Sequence, residues 1–556
     1  MAFQLSPGIN VSEVDLTTVV PAVATTVGGL VGEAVWGPVN QVISISSEDR
    51  FVSVFGKPDA NTYKTFYTAA NFLTYGNDLR FVRTANSGTY NATSNTTAAN
   101  RQVKNLDDYN NISNLGATEY WIAKYPGAIG NSLQVSVCSN NSTFSTWAQG
   151  NTIFDSAPST STFVSDKNGA NDEMHIVVID RLGQFTGTAN TVLEKFGFVS
   201  KASDAMNSDG TSNYYVNVIN NTSKYIWWGK HLDTSWGATA SGTTFASIAV
   251  NTSNLANGAT AATTAGNYQT SWDQFNNADS SDASLLMMGQ KTDNSTIVNY
   301  VIAIAESRKD VMVFVSPAQT DVVNNAGSEA TSVVATRNAL TSSSYAVMDC
   351  GWKYQYDKYN DVYRWIPLNG DVAGLCVRTD LQRDPWFSPA GFNRGQILNV
   401  VKLAWNPTKS DRDTLYKNGV NPVVTFPGEG TLLYGDKTML SRPSAFDRIN
   451  VRRLFIVLEQ SITRAARSSL FEFNDDFTRA QFVSIVEPFL RDVKGRRGIY
   501  DYRVVCDTTN NTSQVIDANQ FVGDIYIKPA RSINFIQLNF VAVRTGVSFD
   551  EIVGKF

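Results

Sequence analysis

The sequence predicts a multidomain protein of mixed α/β (α+β) class. Three observations carry that expectation. The chain has 556 residues, enough for roughly three or four domains of ordinary size. From Ser284 onward, short apolar runs alternate with helical patterns, the signature of strand–helix units in a parallel or mixed sheet. The end of the chain instead holds three runs rich in Ile, Val, Tyr and Phe, at 498–506, 521–529 and 533–543, separated by turn residues. The last run is uncharged and lies close to the terminus. A strand so placed offers an edge with which another chain can pair, so it points to assembly rather than catalysis.

In chain order, residues 1–22 read as an extended arm. Pro7-Gly8 makes a turn, residues 9–16 alternate weakly as a strand, and Pro21 stops it. Two strand-like runs follow around Trp36-Gly37-Pro38. Ser47 is placed to cap a helix over 48–55 that Gly56 closes. Phe66, Ala69, Ala70 and Leu73 mark a second helix ending at Gly76, and residues 79–83 form a strand. Residues 86–116 lack apolar periodicity and read as a surface loop or short insertion. β-type runs resume at 120–123, 133–138 and 175–179. Between Asp233 and Asp273 no residue is charged; that stretch is either disordered or an ordered outer loop packed on neighbours.

The α/β region predicts strands at 285–288, 311–315 and 345–349, with helices at about 295–307 and 329–341. The clearest helix carries Val451, Leu454, Phe455, Leu458, Ile462, Ala465 and Ala466 on one face, and Arg452, Arg453, Glu459 and Arg464 opposite. Asn474 is placed to cap a further helix with Asp475 and Asp476 in its first turn. Pro488 falls near the end of that helix, and Arg491, Lys494, Arg496 and Arg497 cluster after it.

Composition excludes several function classes. The formal net charge is −5, against a nucleic-acid binder, which would show a basic face. Charged residues make up 17%, below the usual quarter, which suits extended β surfaces. Cys138, Cys350, Cys376 and Cys506 are widely spaced without a CxxC pair and read as free buried thiols. His175 and His231 are the two histidines, too few and too isolated for a metal site or a His-based triad. The N-terminus has neither the basic nor the apolar region of a signal peptide. Residues 16–32 are uncharged but broken by Pro and Gly, short of a membrane helix.

Three motifs suggest chemistry, and none meets its requirements. The glycines from Gly428 to Gly435 precede Lys437-Thr438, but Asp436 intervenes, so the phosphate-loop pattern is absent and turn chemistry remains. Asp357, Asp361 and Asp371 lack the Gly and terminal Glu of a calcium loop. The run Trp352, Tyr354, Tyr356, Tyr359, Tyr363 and Trp365 could stack on bases, but interleaved Asp357 and Asp361 favour a packed β-hairpin. No catalytic residue, cofactor site or metal site is expected.

Several segments do carry a resemblance. They include Leu5-Ser-Pro-Gly-Ile9, Trp36-Gly-Pro38, Asn71-Phe-Leu-Thr-Tyr-Gly-Asn-Asp-Leu-Arg80, Tyr125-Pro-Gly127 and Lys353-Tyr-Gln-Tyr-Asp-Lys-Tyr-Asn-Asp361. Ser388-Pro-Ala-Gly-Phe-Asn-Arg-Gly-Gln-Ile-Leu-Asn399, Tyr434-Gly-Asp-Lys-Thr438, Phe446-Asp-Arg-Ile-Asn-Val-Arg-Arg-Leu-Phe455, Tyr502-Arg-Val-Val-Cys-Asp-Thr-Thr-Asn-Asn-Thr512 and Pro529-Ala-Arg-Ser-Ile-Asn534 complete the set. Together they resemble the tail sheath proteins of contractile, T-even-like bacteriophages. The likeness covers the first ~85 residues and nearly everything after ~345, and is weak between.

The resemblance implies a structural virion protein, not an enzyme, that polymerises as helically stacked six-fold rings around a tail tube and contracts. It implies a discontinuous inner domain built from both chain ends, with outward-projecting domains inserted and terminal β-arms exchanged between copies. On this chain the arm would be 1–22, the inner region 23–85 and 346–510, the variable insertion 86–116, the outward part 117–345 and the C-terminal strands 511–556. Ile9, Val11 and Val14, with Ile536, Leu538 and Phe540, would pair across copies. Arg491, Lys494, Arg496 and Arg497 would face an acidic partner surface such as the tube, or form a solvated turn. Implied partners are further copies, tube, baseplate and tail terminator proteins, with no nucleic acid and no membrane insertion. The implied place is the virion, after assembly in the host cytoplasm. A bacterial contractile injection sheath is the alternative. A surface-layer or adhesin-like protein and a hydrolase with an unrecognised site stand further off.

Overall fold

The computed structural model describes residues 24–95, 100–534 and 537. The chain divides into two compact units, one spanning Pro21–Pro385 and Pro389–Thr463, the other holding Trp386–Ser388 and the chain from Arg464 onward.

The larger unit is organised on a seven-stranded sheet. Its order is Val420–Asn421, Ala346–Asp349, Met312–Val315, Leu285–Met287, Gly28–Gly32, Leu79–Arg83 and Val42–Ile45. Every neighbouring pair is parallel except the last. Gly28 pairs directly with Leu285 and Leu30 with Met287, so strands from 28–83 and 285–421 share one core. Such strands are covered on both faces, which is why they read as continuous apolar runs. Leu30, Phe81, Phe314 and Met348 are fully buried.

The helices follow from their caps and apolar faces. Ser47 caps Glu48–Phe55, its Oγ accepting from Arg50 N at 3.2 Å. Asn294 caps Ser295–Arg308, its Oδ1 accepting from Thr296 N at 3.1 Å. Helix Tyr63–Tyr75 lies directly on the sheet and against helix Asn369–Gln382. Glycine permits both approaches: a β-carbon at Gly32 would stand 2.3 Å from Thr65 Cγ2, and one at Gly374 2.3 Å from Tyr75 Cδ2. Helix Glu329–Asn338 ends three residues before the position expected from sequence.

Between Arg83 and the helix Ala265–Trp272 the chain builds a β-rich body. Its main sheet is antiparallel, ordered Thr191–Ser200, Glu173–Asp180, Leu133–Cys138 and Asn251–Asn254. Trp121, Val135, Ile176 and Val178 form its core. The charge-free tract is ordered within this same chain: Trp236 and Phe245 are buried, and Asn251–Asn254 and Ala265–Trp272 lie in it. Within 86–116, read from sequence as a surface loop or short insertion, some residues pack inward. Asn91 is buried and donates to Val103 O at 3.1 Å and Ala123 O at 2.9 Å. Arg83 ties this body to the sheet, donating to Ala34 O at 2.8 Å and to Gly37 O and Pro126 O at 2.7 Å.

The aromatic run forms the expected hairpin, Trp352–Asp357 against Val362–Pro367. Trp352 is buried and donates Nε1–H to Pro317 O at 2.8 Å. In one respect the helical pattern misleads. Arg452 and Arg453, on the nominal polar face of Ile449–Ala466, are buried. Arg453 pairs with Asp380, its NH1 donating to Oδ1 at 2.7 Å, and the Arg452 guanidinium lies 3.9 Å from the Phe446 ring centre.

Candidate assembly surface

The smaller unit is a helix packed on one face of a two-stranded sheet. Helix Asp476–Gly495 begins where Asp475 turns its carboxylate back to accept from Thr478 N at 2.8 Å. The cap is therefore Asp475, not Asn474. Asn474 is drawn away because its Nδ2 donates to Gln520 O at 2.8 Å and its Oδ1 accepts from Arg479 at 2.7 Å. Phe482, Val486, Leu490 and Val493 make the buried stripe. Pro488 lies inside the helix rather than near its end, on the exposed face. There the carbonyl it leaves unpaired can reach water.

Strand Ile499–Val505 runs antiparallel to Asp524–Pro529, pairing Tyr502 with Ile527 and Val504 with Ile525. These four side chains share the helix side, where Tyr502 OH donates to Glu487 O at 3.3 Å. On the rest of the ribbon Tyr500 and Tyr526 are 66% and 60% exposed. Among the described residues no third strand joins this sheet. Among the described residues each strand therefore has an outer edge with no strand beside it, the kind of edge to which an extended segment can add.

The turn after the first strand explains its Asn-rich sequence. Asn510 donates to Val505 O at 2.8 Å and to Asp524 Oδ2 at 3.1 Å. Asn511 is buried, donates to Val522 O at 2.7 Å and accepts from Val522 N at 2.9 Å. The two amides thus hold the strands in register.

The basic residues sit where this helix ends. Arg491, Lys494, Arg496 and Arg497 are all exposed. Lys494 pairs with Asp501 at 3.1 Å and Arg496 with Asp492 at 3.5 Å. Trp386 anchors the turn: its Nε1–H donates to Arg496 O at 3.1 Å, and the Arg496 guanidinium lies 5.2 Å from its ring centre. Arg497 adopts φ 67°, and Gly498 N–H closes the helix on Val493 O at 2.9 Å. Cations here also complement the helix dipole.

Ile9, Val11, Val14, Ile536, Leu538 and Phe540 lie outside the described residues. The other motifs resolve as structure. Lys437 Nζ donates to Tyr416 O at 2.7 Å, and Gly428 and Gly430 take φ 81° and 84° in a hairpin turn. Asp357 accepts from Tyr67 OH and Arg364 Nε at 2.8 Å, while Asp371 accepts from Lys353 Nζ at 2.9 Å. His175 is a core residue: Phe198 N–H donates to Nδ1 at 3.1 Å, which leaves the proton on Nε2 for Ser156 O at 2.9 Å. Burial holds its pKa below the ordinary value. The four cysteines are buried and unbridged, with burial pushing the Cys350 and Cys376 thiols up to about 12. Among the described residues no group of three or more His, Cys, Asp or Glu side chains could hold a metal, and no helix is long and apolar enough to cross a membrane.

Comparison with known proteins gives one answer along the whole chain. Residues 25–83 match the family model "Tail sheath protein Gp18 domain III N-terminal region", 261–439 "Phage tail sheath protein central domain", and 441–542 "Phage tail sheath C-terminal domain". The chain is 34% identical to the tail sheath protein of Vibrio phage KVP40 over 676 aligned positions, covering 99% of this chain and 100% of that one. It is 34% identical to the tail sheath protein of Enterobacteria phage T4, covering 99% of each. The KVP40 alignment is longer than this chain, so that relative carries segments absent here. In fold, the crystal structure of a sheath tail protein from Listeria innocua matches with a TM-score of 0.54 at 10% identity, over 90% of this chain and 94% of that one. The sheath of an extracellular contractile injection system in its contracted state matches with a TM-score of 0.51 at 13% identity, over 97% and 98%. With two relatives at 34% identity over essentially its whole length, the chain belongs to the phage tail sheath protein family.

Proposed function

We propose that this chain is the contractile subunit of a phage tail: copies stack as six-fold rings in a helix around a tail tube, and their repacking drives the tube through the host envelope. The observation that carries the reading is full-length similarity to phage tail sheath proteins. The two-stranded sheet of the smaller unit supplies a physical means. An arm from another copy, residues 6–16 with Ile9, Val11 and Val14, or the run with Ile536, Leu538 and Phe540, adds a strand to a free edge. Main-chain hydrogen bonds then give strength while the linker bends. A contact whose rotation does not close in one plane builds a helix. The role is structural rather than enzymatic, and the energy of contraction is held in the extended lattice. Differences on the order of a few kcal/mol per subunit sum over many copies, as in repeat arrays.

The partners in this reading are further copies, the tube, the baseplate and the tail terminator, with Arg491, Lys494, Arg496 and Arg497 available to an acidic surface. The subunit assembles in the host cytoplasm and resides in the virion tail. Removing residues 1–15 is expected to leave a folded, soluble protein that forms no rings or tubes by electron microscopy. Normal sheaths from the truncated chain would rule out arm exchange. A full-length chain that stays monomeric at high concentration in every salt would rule out the sheath reading itself.

A further inference from the structure

Among the described residues of the smaller unit, a run of large apolar side chains is exposed. Leu470, Phe471, Phe473 and Phe477 are 62%, 105%, 84% and 75% exposed within eight residues. Phe471 also adopts φ 68°, a left-handed conformation that bulky residues seldom take. A cluster of this kind on a soluble unit marks a contact surface. Charges of both signs flank it: Glu472, Asp475 and Asp476 are exposed, as are Arg464 and Arg467, which have partners of their own. Asp475 is engaged as a helix cap and Asp476 with Arg479. Among the described residues Glu472 makes no ion pair.

This surface lies at the start of helix Asp476–Gly495, and the basic turn lies at its end. Twenty residues of α-helix separate the two by about 30 Å. Lys494 and Arg496 already have carboxylate partners, while among the described residues Arg491 and Arg497 make no ion pair. One end of the unit is thus apolar with an unmatched acid, and the other is basic with unmatched arginines.

We infer that the phenylalanine-rich end of the smaller unit in one copy seats on the basic end of the same unit in the next copy. The inference rests on the polymeric reading above and adds a side-chain contact to it. Charge selects the occupant: with Asp475, Asp476, Arg464 and Arg467 engaged, the acid left to pair is Glu472, which attracts a basic surface. Placement at opposite ends makes the contact heterologous, so it propagates instead of closing on itself in a pair.

The test uses the full chain, with polymer followed by sedimentation and electron microscopy and the fold of each variant checked by near-UV circular dichroism. A folded Phe471→Ser/Phe473→Ser variant is expected to raise the critical concentration about thirtyfold or more, the scale of losing an interface anchor. Glu472→Arg and Arg497→Glu alone each weaken assembly about five- to tenfold at low salt. Together they recover it to within about twofold, because residue 472 of one copy meets 497 of the next. Unchanged assembly by the phenylalanine variant, or no recovery in the combined variant, overturns the contact. So does a phenylalanine variant that polymerises normally alone but no longer assembles on tubes, since the tube is then the occupant. Failure of the unaltered chain to polymerise counts against the sheath reading instead.

Discussion

At the scale of single residues, the larger unit hides ionisable groups where solvent cannot reach them. Asp349 ends the strand Ala346–Asp349, accepting from Ser316 Oγ at 2.7 Å and Gly351 N at 3.0 Å. Burial outweighs those bonds and pushes its pKa up to about 8 from 3.8. Between those values the folded chain holds a proton that the unfolded chain has lost. This contribution is therefore complete below pH 4 and declines as pH rises toward 8. Denaturant titrations from pH 5 to 7.5 should show Asp349→Asn flattening the decline by about 1 kcal/mol or more; parallel profiles would place the proton elsewhere. Little of this was legible in the sequence. The sequence marks Asp357 and Asp371 as spaced acids, but their partners Arg364, Tyr67 and Lys353 come from packing. Periodicity puts Arg453 opposite the apolar face of its helix. Asp380, 73 positions earlier, turns it inward.

At the scale of elements, legibility was high where a cap or an apolar stripe acts locally. Ser47 caps its helix, strand Leu79–Arg83 and strand Ile499–Val505 fall where the apolar runs predicted, and the aromatic run is a hairpin. Errors arise where a side chain finds a distant partner, as Asn474 does in Gln520. The Asn-rich turn shows the same limit. Its composition announces a turn but not that Asn511 is buried and clasps Val522 through both amide atoms. Asn511→Ala leaves both main-chain groups of Val522 without that partner, at a cost of about 2–3 kcal/mol in the smaller unit. Asn511→Asp keeps the acceptor and loses the donor, so its cost should be smaller by chemical denaturation if the clasp governs stability. Hydrogen exchange at the Val522 amide should accelerate in the alanine variant, and unchanged protection would assign the register to other contacts.

At the scale of the whole molecule, sequence spacing cannot reveal that Gly28–Gly32 pairs with Leu285–Met287 across more than two hundred intervening residues. Strand–helix alternation predicted a mixed sheet from Ser284, but not that strands from residues 28–83 belong to it. Nor does it reveal that the three residues Trp386–Ser388 group with the chain beyond Arg464. The consequence is thermodynamic. The larger unit packs around Phe314 and Leu30, while the smaller packs around Phe482, Val486 and Leu490. Separate cores of unequal size unfold as separate cooperative steps unless they are strongly coupled. Calorimetry on dilute, unpolymerised protein should therefore resolve two transitions. Val486→Ala, which removes two methyls from a fully buried site, should destabilise the smaller unit by about 1–3 kcal/mol and lower only its transition. Phe314→Ala, also fully buried, should lower only the larger unit's transition, by about 3–5 kcal/mol in stability. A single transition shifted by both substitutions would mean that the two cores fold as one. A sheath subunit would then carry the coupling between its lattice contacts and its body in its own stability, rather than in the assembled polymer.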